Sequence, residues 1–182
     1  LVLAEHLLGA DAGQSLVFEV LTHFGTLLAV AAVYRRELAV LLRYLVGEGP
    51  RALIRAGWTA GIWNHPQGRF LAAVGAITAI TGVVGVALQG PIERHLFGHT
   101  KVVGVALMAT ATLLAISRWA RERWNGPGAI PLWVMVLIGL VQSCALTPGL
   151  SRSGSTIAVA MLAGVDRRTA GALSFIASIP AI

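Results

Sequence analysis

Leu146-Thr147-Pro148-Gly149-Leu150-Ser151-Arg152-Ser153-Gly154-Ser155-Thr156 lies between two apolar runs, residues 131–145 and 157–165. A membrane core has no use for such a stretch. Pro148 cannot continue a helix, and Gly149 and Gly154 let the backbone turn where a side chain would clash. Five hydroxyls (Thr147, Ser151, Ser153, Ser155, Thr156) and the Arg152 guanidinium fall within ten residues. Amides freed by a helix break, hydroxyls and a planar guanidinium fork all suit an oxyanion such as phosphate. In a soluble protein a Pro-Gly-Ser stretch is ordinarily an exposed loop with a solvated arginine. The flanks here are too apolar for that, and an arginine inside an apolar region marks a functional site.

Composition decides the setting. Of 182 residues, 56% are hydrophobic and 12% charged, and the mean hydropathy is +0.76. Soluble domains carry roughly 25% charged residues, so the chain reads as an all-α integral membrane protein. No polar stretch is long enough to hold a separate core, which makes residues 1–182 a single polytopic membrane domain. The net charge of +6 comes almost wholly from arginines at the ends of apolar runs. That is the pattern of loops on the positive-inside face, not of a nucleic-acid partner. The lone Cys144 excludes an internal disulfide and is expected to be a small packed residue. No charged leader precedes an apolar core, so no signal peptide is expected. Both ends of the chain fall in apolar sequence and suggest a fragment.

In chain order, residues 16–34 form the first candidate span, of about the 20 residues a bilayer requires. Glu19 and His23, four apart, share a face of it, either bonded to each other or supporting a site from behind. Leu38 to Val46 reads as an interfacial extension among arginines, and 47–50 and 64–68 read as turns. His65, in the second turn, is expected to face solvent. Residues 70–88 form the second span, with Gly75, Gly82 and Gly85 as helix-packing positions. Residues 89–101 are a short polar connection; His95 and His99 lack a third ligand for zinc. Residues 102–117 are the third span, followed by Arg118, Arg121 and Arg123 with Trp119 and Trp124 as interface anchors. Residues 131–147 are the fourth candidate. The run 157–165 is too short to span alone, so a broken or re-entrant helix pair carries the 146–156 stretch. Arginine asymmetry puts 35–69 and 118–130 in the cytoplasm, 89–101 outside and the site toward the outer face.

Pro148-Gly149-x-Ser151-Arg152-Ser153-Gly154-x-Thr156 resembles the second signature of the bacterial undecaprenyl-diphosphate phosphatases. Gln142 and Ala145 upstream fit the same pattern, as do Gly164, Ala170, Ser174-Phe175 and Ile179-Pro180 downstream. Phe18-Glu19-Val20 and His23-x-Gly25-Thr26 extend the resemblance over essentially the whole chain. It implies two inverted re-entrant repeats, of which one and a part fall within this chain. The Glu-x-x-x-Glu and Ser-Ser-x-Gly-His motifs of the family would precede Leu1, and family members continue past both ends. It also implies a multi-pass protein of the bacterial inner membrane, linked to bacitracin resistance. Its reaction hydrolyses undecaprenyl diphosphate to the monophosphate carrier used in cell-wall peptidoglycan synthesis.

By this resemblance Arg152, Ser151 and Ser153 are the catalytic candidates and Gly149, Gly154 and Thr156 bind phosphate. Glu19, His23 and Gln142 are candidates for support from behind. A divalent cation (Mg or Ca) is expected from the family, with no carboxylate cluster in this chain to hold it. The partners implied are a polyprenyl diphosphate lipid and the bilayer, with self-association left open. The nucleophile could be a signature hydroxyl, the family's upstream histidine or a water activated by a carboxylate. A transporter or flippase for an anionic lipid or solute could use the same broken-helix anion site. The other membrane phosphatase class, built on Pro-Ser-Gly-His, is excluded because that motif is missing and no His follows Arg152.

Overall fold

The computed structural model describes residues 12–51, 62–96, 100–126 and 128–181. His99 lies outside them. The described residues are helical, with α1 at Ala12–Val33 and α2 at Arg35–Arg43, the latter running into a π-helical turn at Tyr44–Glu48. They continue with α3 (Pro66–Leu96), α4 (Thr100–Ser117), α5 (Leu132–Cys144), α6 (Arg152–Leu162) and α7 (Arg167–Ser178), closed by a 3-10 turn at Ile179–Ala181. Among the described residues one stretch, Pro66–Ala87 within α3, is long and apolar enough to cross a membrane. Val20–Val33, Lys101–Ser117 and Leu132–Cys144 are apolar but shorter.

Several boundaries differ from the sequence expectation. Residues 47–50 are helical, not a turn: the Gly49 N–H donates to the Tyr44 carbonyl across a wide turn, where Pro50 needs no acceptor. α3 starts at Pro66, a first-turn position at which the missing N–H costs nothing, and it runs on through 89–96. The polar connection is correspondingly shorter. His65 is half-buried, its ring 5.8 Å from that of Tyr44.

The core lies where α5 packs along α3, with α6 against α5 and α7 against α6 and α3. Ile77, Ile130, Met135, Ile138 and Leu173 are fully buried there. The close α3–α5 approach is not made by α3's glycines. A Cβ on Gly75 or Gly82 would meet nothing within 4 Å, and one on Gly85 would meet only Leu146. Gly139 of α5 makes the approach instead, since a Cβ there would stand 2.9 Å from Ile80. α5 turns Val134, Met135, Ile138, Gly139, Gln142 and Ser143 inward. Cys144 falls on the opposite flank with Trp133, Val136 and Leu140, and is exposed rather than packed.

α5 and α6 form a hairpin whose open ends are tied together. The Arg123 and Trp124 amides donate to the Gly164 carbonyl at 2.7 and 2.8 Å, and the Asp166 amide donates to Trp124 at 3.0 Å. Gly164 ends α6 with φ +98°. Its amide reaches Met161 and that of Val165 reaches Ala160, a Schellman closure that calls for glycine at the left-handed position. Asp166 caps α7 through Thr169 and accepts the Gly126 amide at 2.9 Å. Residues 145–151 therefore sit at the far tip of the hairpin, about 20 Å away for a helix of α5's length.

Candidate active site at the hairpin tip

The tip is shaped by what α4 allows. Gly149 has φ +93°, and a Cβ there would stand 2.6 Å from the Val103 carbonyl oxygen. Only glycine lets the loop lie on α4. Ser151 then caps α6: its Oγ accepts the Gly154 amide at 3.2 Å, and its carbonyl accepts the Ser155 amide at 2.9 Å. The Ser151 amide donates to Thr110 Oγ1 at 3.2 Å, and the Thr110 hydroxyl donates to the Ala106 carbonyl at 3.1 Å. Gly154 sits inside this arrangement, where a Cβ would stand 2.9 Å from Ser151 Oγ and 3.1 Å from Thr110 Cγ2. Both signature glycines are thus explained by close packing of the loop.

The amides of Arg152 and Ser153, the first two of α6, have no acceptor among the described residues. Unsatisfied first-turn amides and the positive end of the helix dipole favour an anion. The Arg152 guanidinium and the Ser153 hydroxyl, on half-buried residues, likewise have no described partner. Ser151 Oγ is occupied as an acceptor, yet its O–H is still available to donate. The tip therefore gathers two amides, a guanidinium and two hydroxyls in one turn of chain.

The sequence reading puts Thr156 in the phosphate cradle, whereas the structure turns it inward. It is 1% exposed, its Oγ1 donates to the Arg152 carbonyl at 2.8 Å, and it lies 2.6 Å from Ser174 Oγ on α7. Thr156 braces α6 against α7. Gln142, in the last turn of α5, is fully buried with neither amide atom partnered among the described residues, and Ser155 Oγ is in the same state. Buried polar groups left unpaired are rare, and two of them here flank the loop. Glu19 and His23 stand one turn apart on α1, which packs on α2; their side chains lie outside the described residues.

Among the described residues, no group of three His, Cys, Asp or Glu could hold a metal ion. A cavity of about 600 Å³ opens at the other end of the hairpin, lined by Arg36, Glu37, Phe70, Glu122, Asp166 and Arg168 among others. Arg168 and Glu37 pair across it at 3.0 Å. Its carboxylates make it a poor anion site, so it does not compete with the tip.

Thr110 escapes sequence reasoning. A threonine in an apolar helix usually bonds back to its own backbone, as Thr112 does to Met108 at 2.8 Å. Nothing in the sequence of α4 distinguishes the two threonines until the face touching the loop is known.

The family model described as bacitracin resistance protein BacA matches residues 1–182. Among similar proteins, the undecaprenyl-diphosphatase of Methanobrevibacter smithii is 33% identical over 183 residues, covering 100% of this chain and 65% of that protein. That of Korarchaeum cryptofilum is 36% identical over 169 residues, covering 93% of this chain and 61% of its own length. That of Desulfosudis oleivorans is 37% identical, covering 100% and 65%. The chain spans less than two thirds of each of these relatives.

Proposed function

This chain belongs to the bacitracin resistance protein BacA family, and on that premise we propose that the protein containing it is an integral membrane phosphatase. Its reaction is hydrolysis of undecaprenyl diphosphate to undecaprenyl phosphate and inorganic phosphate, as the names of its relatives suggest. The observation that carries the reading is the start of α6. Two free amides, a guanidinium without a described acidic partner and the Ser151 and Ser153 hydroxyls converge on one turn. The terminal phosphate sits against these donors. Arg152 grips two of its oxygens with its planar fork and offsets the charge that grows as the anhydride P–O bond breaks.

A divalent cation belongs to this reading as a family trait. The described residues offer it no ligand set, so no step is routed through it. Removal and re-addition of Mg or Ca on the complete protein tests it.

The membrane reading rests on geometry and on charge. α5 and α6 are each too short to cross a hydrocarbon core of about 30 Å, and their open ends are tied at 123–126 and 164–166. A re-entrant hairpin that enters from the arginine-rich face and stops at Gly149 satisfies both facts. With that face cytoplasmic, the tip lies in the outer half of the bilayer. The exposed apolar faces of α1 (Val20, Leu21, Phe24, Leu28) and α4 (Val105, Met108) would then meet lipid. The inverted partner repeat belongs to the same reading.

The test is inorganic phosphate release from undecaprenyl diphosphate by the purified full-length protein. Turnover is expected. Binding or translocation of the lipid without phosphate release would replace this reading with transport.

A further inference from the structure

Within the phosphatase reading, on which this rests, the donors at the start of α6 act only if they point at one place. The aim of the Arg152 and Ser153 amides is set by Ser151, the residue at which the loop becomes helix. Ser151 is held from two sides. Its Oγ is engaged within its own turn by the Gly154 amide. Its amide is engaged from outside the hairpin, by Thr110 Oγ1 of α4 at 3.2 Å.

Thr110 is itself anchored. It is 6% exposed, and its hydroxyl proton is committed to the Ala106 carbonyl, which leaves the oxygen lone pairs turned to the loop. The chain Ser151 N–H to Thr110 O–H to Ala106 C=O has one direction of donation, and its middle position needs a group that both accepts and donates, as a hydroxyl does. The Thr110 methyl also lies against Gly154, where no side chain would fit. We infer that Thr110 is the positioning residue of the site. It fixes the signature loop to α4 and so aligns the anion-binding turn, without touching the substrate.

The test uses the full-length protein with Thr110→Val, Thr110→Ser and, as a control on the same helix, Thr112→Val. Thr110→Val keeps the shape and removes the acceptor, so kcat should fall about ten- to a hundredfold, the scale of a misaimed catalytic group, with KM changed by less than roughly threefold. Thr110→Ser keeps the oxygen and should restore most of kcat, while Thr112→Val should behave as wild type. Deuterium exchange over residues 148–156 should quicken in Thr110→Val and stay slow in Thr110→Ser. Should Thr110→Val not purify folded, Thr110→Ala carries the same comparison.

Wild-type kcat in folded Thr110→Val, or equal losses in the Val and Ser variants, would overturn the assignment. So would a melting temperature that falls while turnover per folded molecule holds. A wild-type protein that releases no phosphate would defeat the functional reading instead. Exchange would then still decide whether Thr110 holds the loop.

Discussion

Arg152 carries the only charge between residues 146 and 156, and it stands beside the free amides of a helix start. If it stabilises charge at phosphorus, Arg152→Lys should suffer although the charge is kept, because an ammonium cannot grip two oxygens in one plane. Losing one such contact typically costs about 10²–10³ in rate, with Ala worse than Lys. Arg118 offers the contrast. It lies over the exposed Trp119 ring at 5.7 Å, and Arg118→Lys should leave turnover unchanged. An arginine that merely anchors the loop would lower melting temperature and activity together. The deciding data are kcat and melting temperature on the same detergent-purified full-length samples, and near-normal kcat in well-folded Arg152→Ala would refute the catalytic role. The guanidinium and the backbone turn at Gly149 were legible because proline and glycine report local backbone directly, whereas Ser151, read as a site hydroxyl, is also the cap of α6. The inward turn of Thr156 and the exposure of Cys144 were not, since each depends on which flank of a helix meets a neighbour.

The hairpin formed by α5 and α6 works as one element because its ends are tied at Asp166. Burial alone would raise the carboxyl's pKa. The Thr169 side-chain-and-amide bonds, the Gly126 amide and the Arg168 amide outweigh it and hold Asp166 below the usual carboxylate range. A depressed folded-state pKa means stability that is present above the unfolded value, near 3.9, and lost as pH falls through the folded value. Acid melting below about pH 4 should therefore begin at this junction. Asp166→Asn keeps a capping oxygen and should flatten that acid limb. Asp166→Ala also loses the cap and should cost about 0.5–2 kcal/mol at neutral pH. Melting temperature measured from pH 3 to pH 7 separates the two, and an unaltered acid limb in Asp166→Asn would show that other groups carry it. The sequence foretold a broken pair here from the shortness of run 157–165. It did not foretell the tie, because Gly126, which donates to Asp166, lies 40 positions away, and no local pattern encodes that distance.

At the scale of the whole molecule, the proposed orientation joins two arguments: the hairpin sets its tip opposite the arginine-rich segments, and arginine asymmetry assigns those segments to the cytoplasm. The arginine-rich segments 35–51 and 118–124 share the side that carries the open end of the hairpin. Thr110 and Val103, which hold the tip, lie roughly 10 and 20 Å along α4 from Ser117. On the proposed reading the site is then reached from the face opposite the arginines. Because α3 runs past Ala87 as helix, Gly90 stands just beyond the stretch able to span, and a Cβ there would meet nothing within 4 Å. Arg51 is exposed at the other side. In a Cys144→Ala background, which removes the exposed native thiol, Gly90→Cys should react with a membrane-impermeant thiol reagent in intact cells. Arg51→Cys should react only after the cells are opened. The reverse pattern would turn the molecule over and put the signature in the cytoplasmic half of the bilayer. Labelling of both positions from outside would mean that α3 does not cross. On the proposed phosphatase reading, the reverse pattern would change which leaflet presents the lipid diphosphate to Arg152.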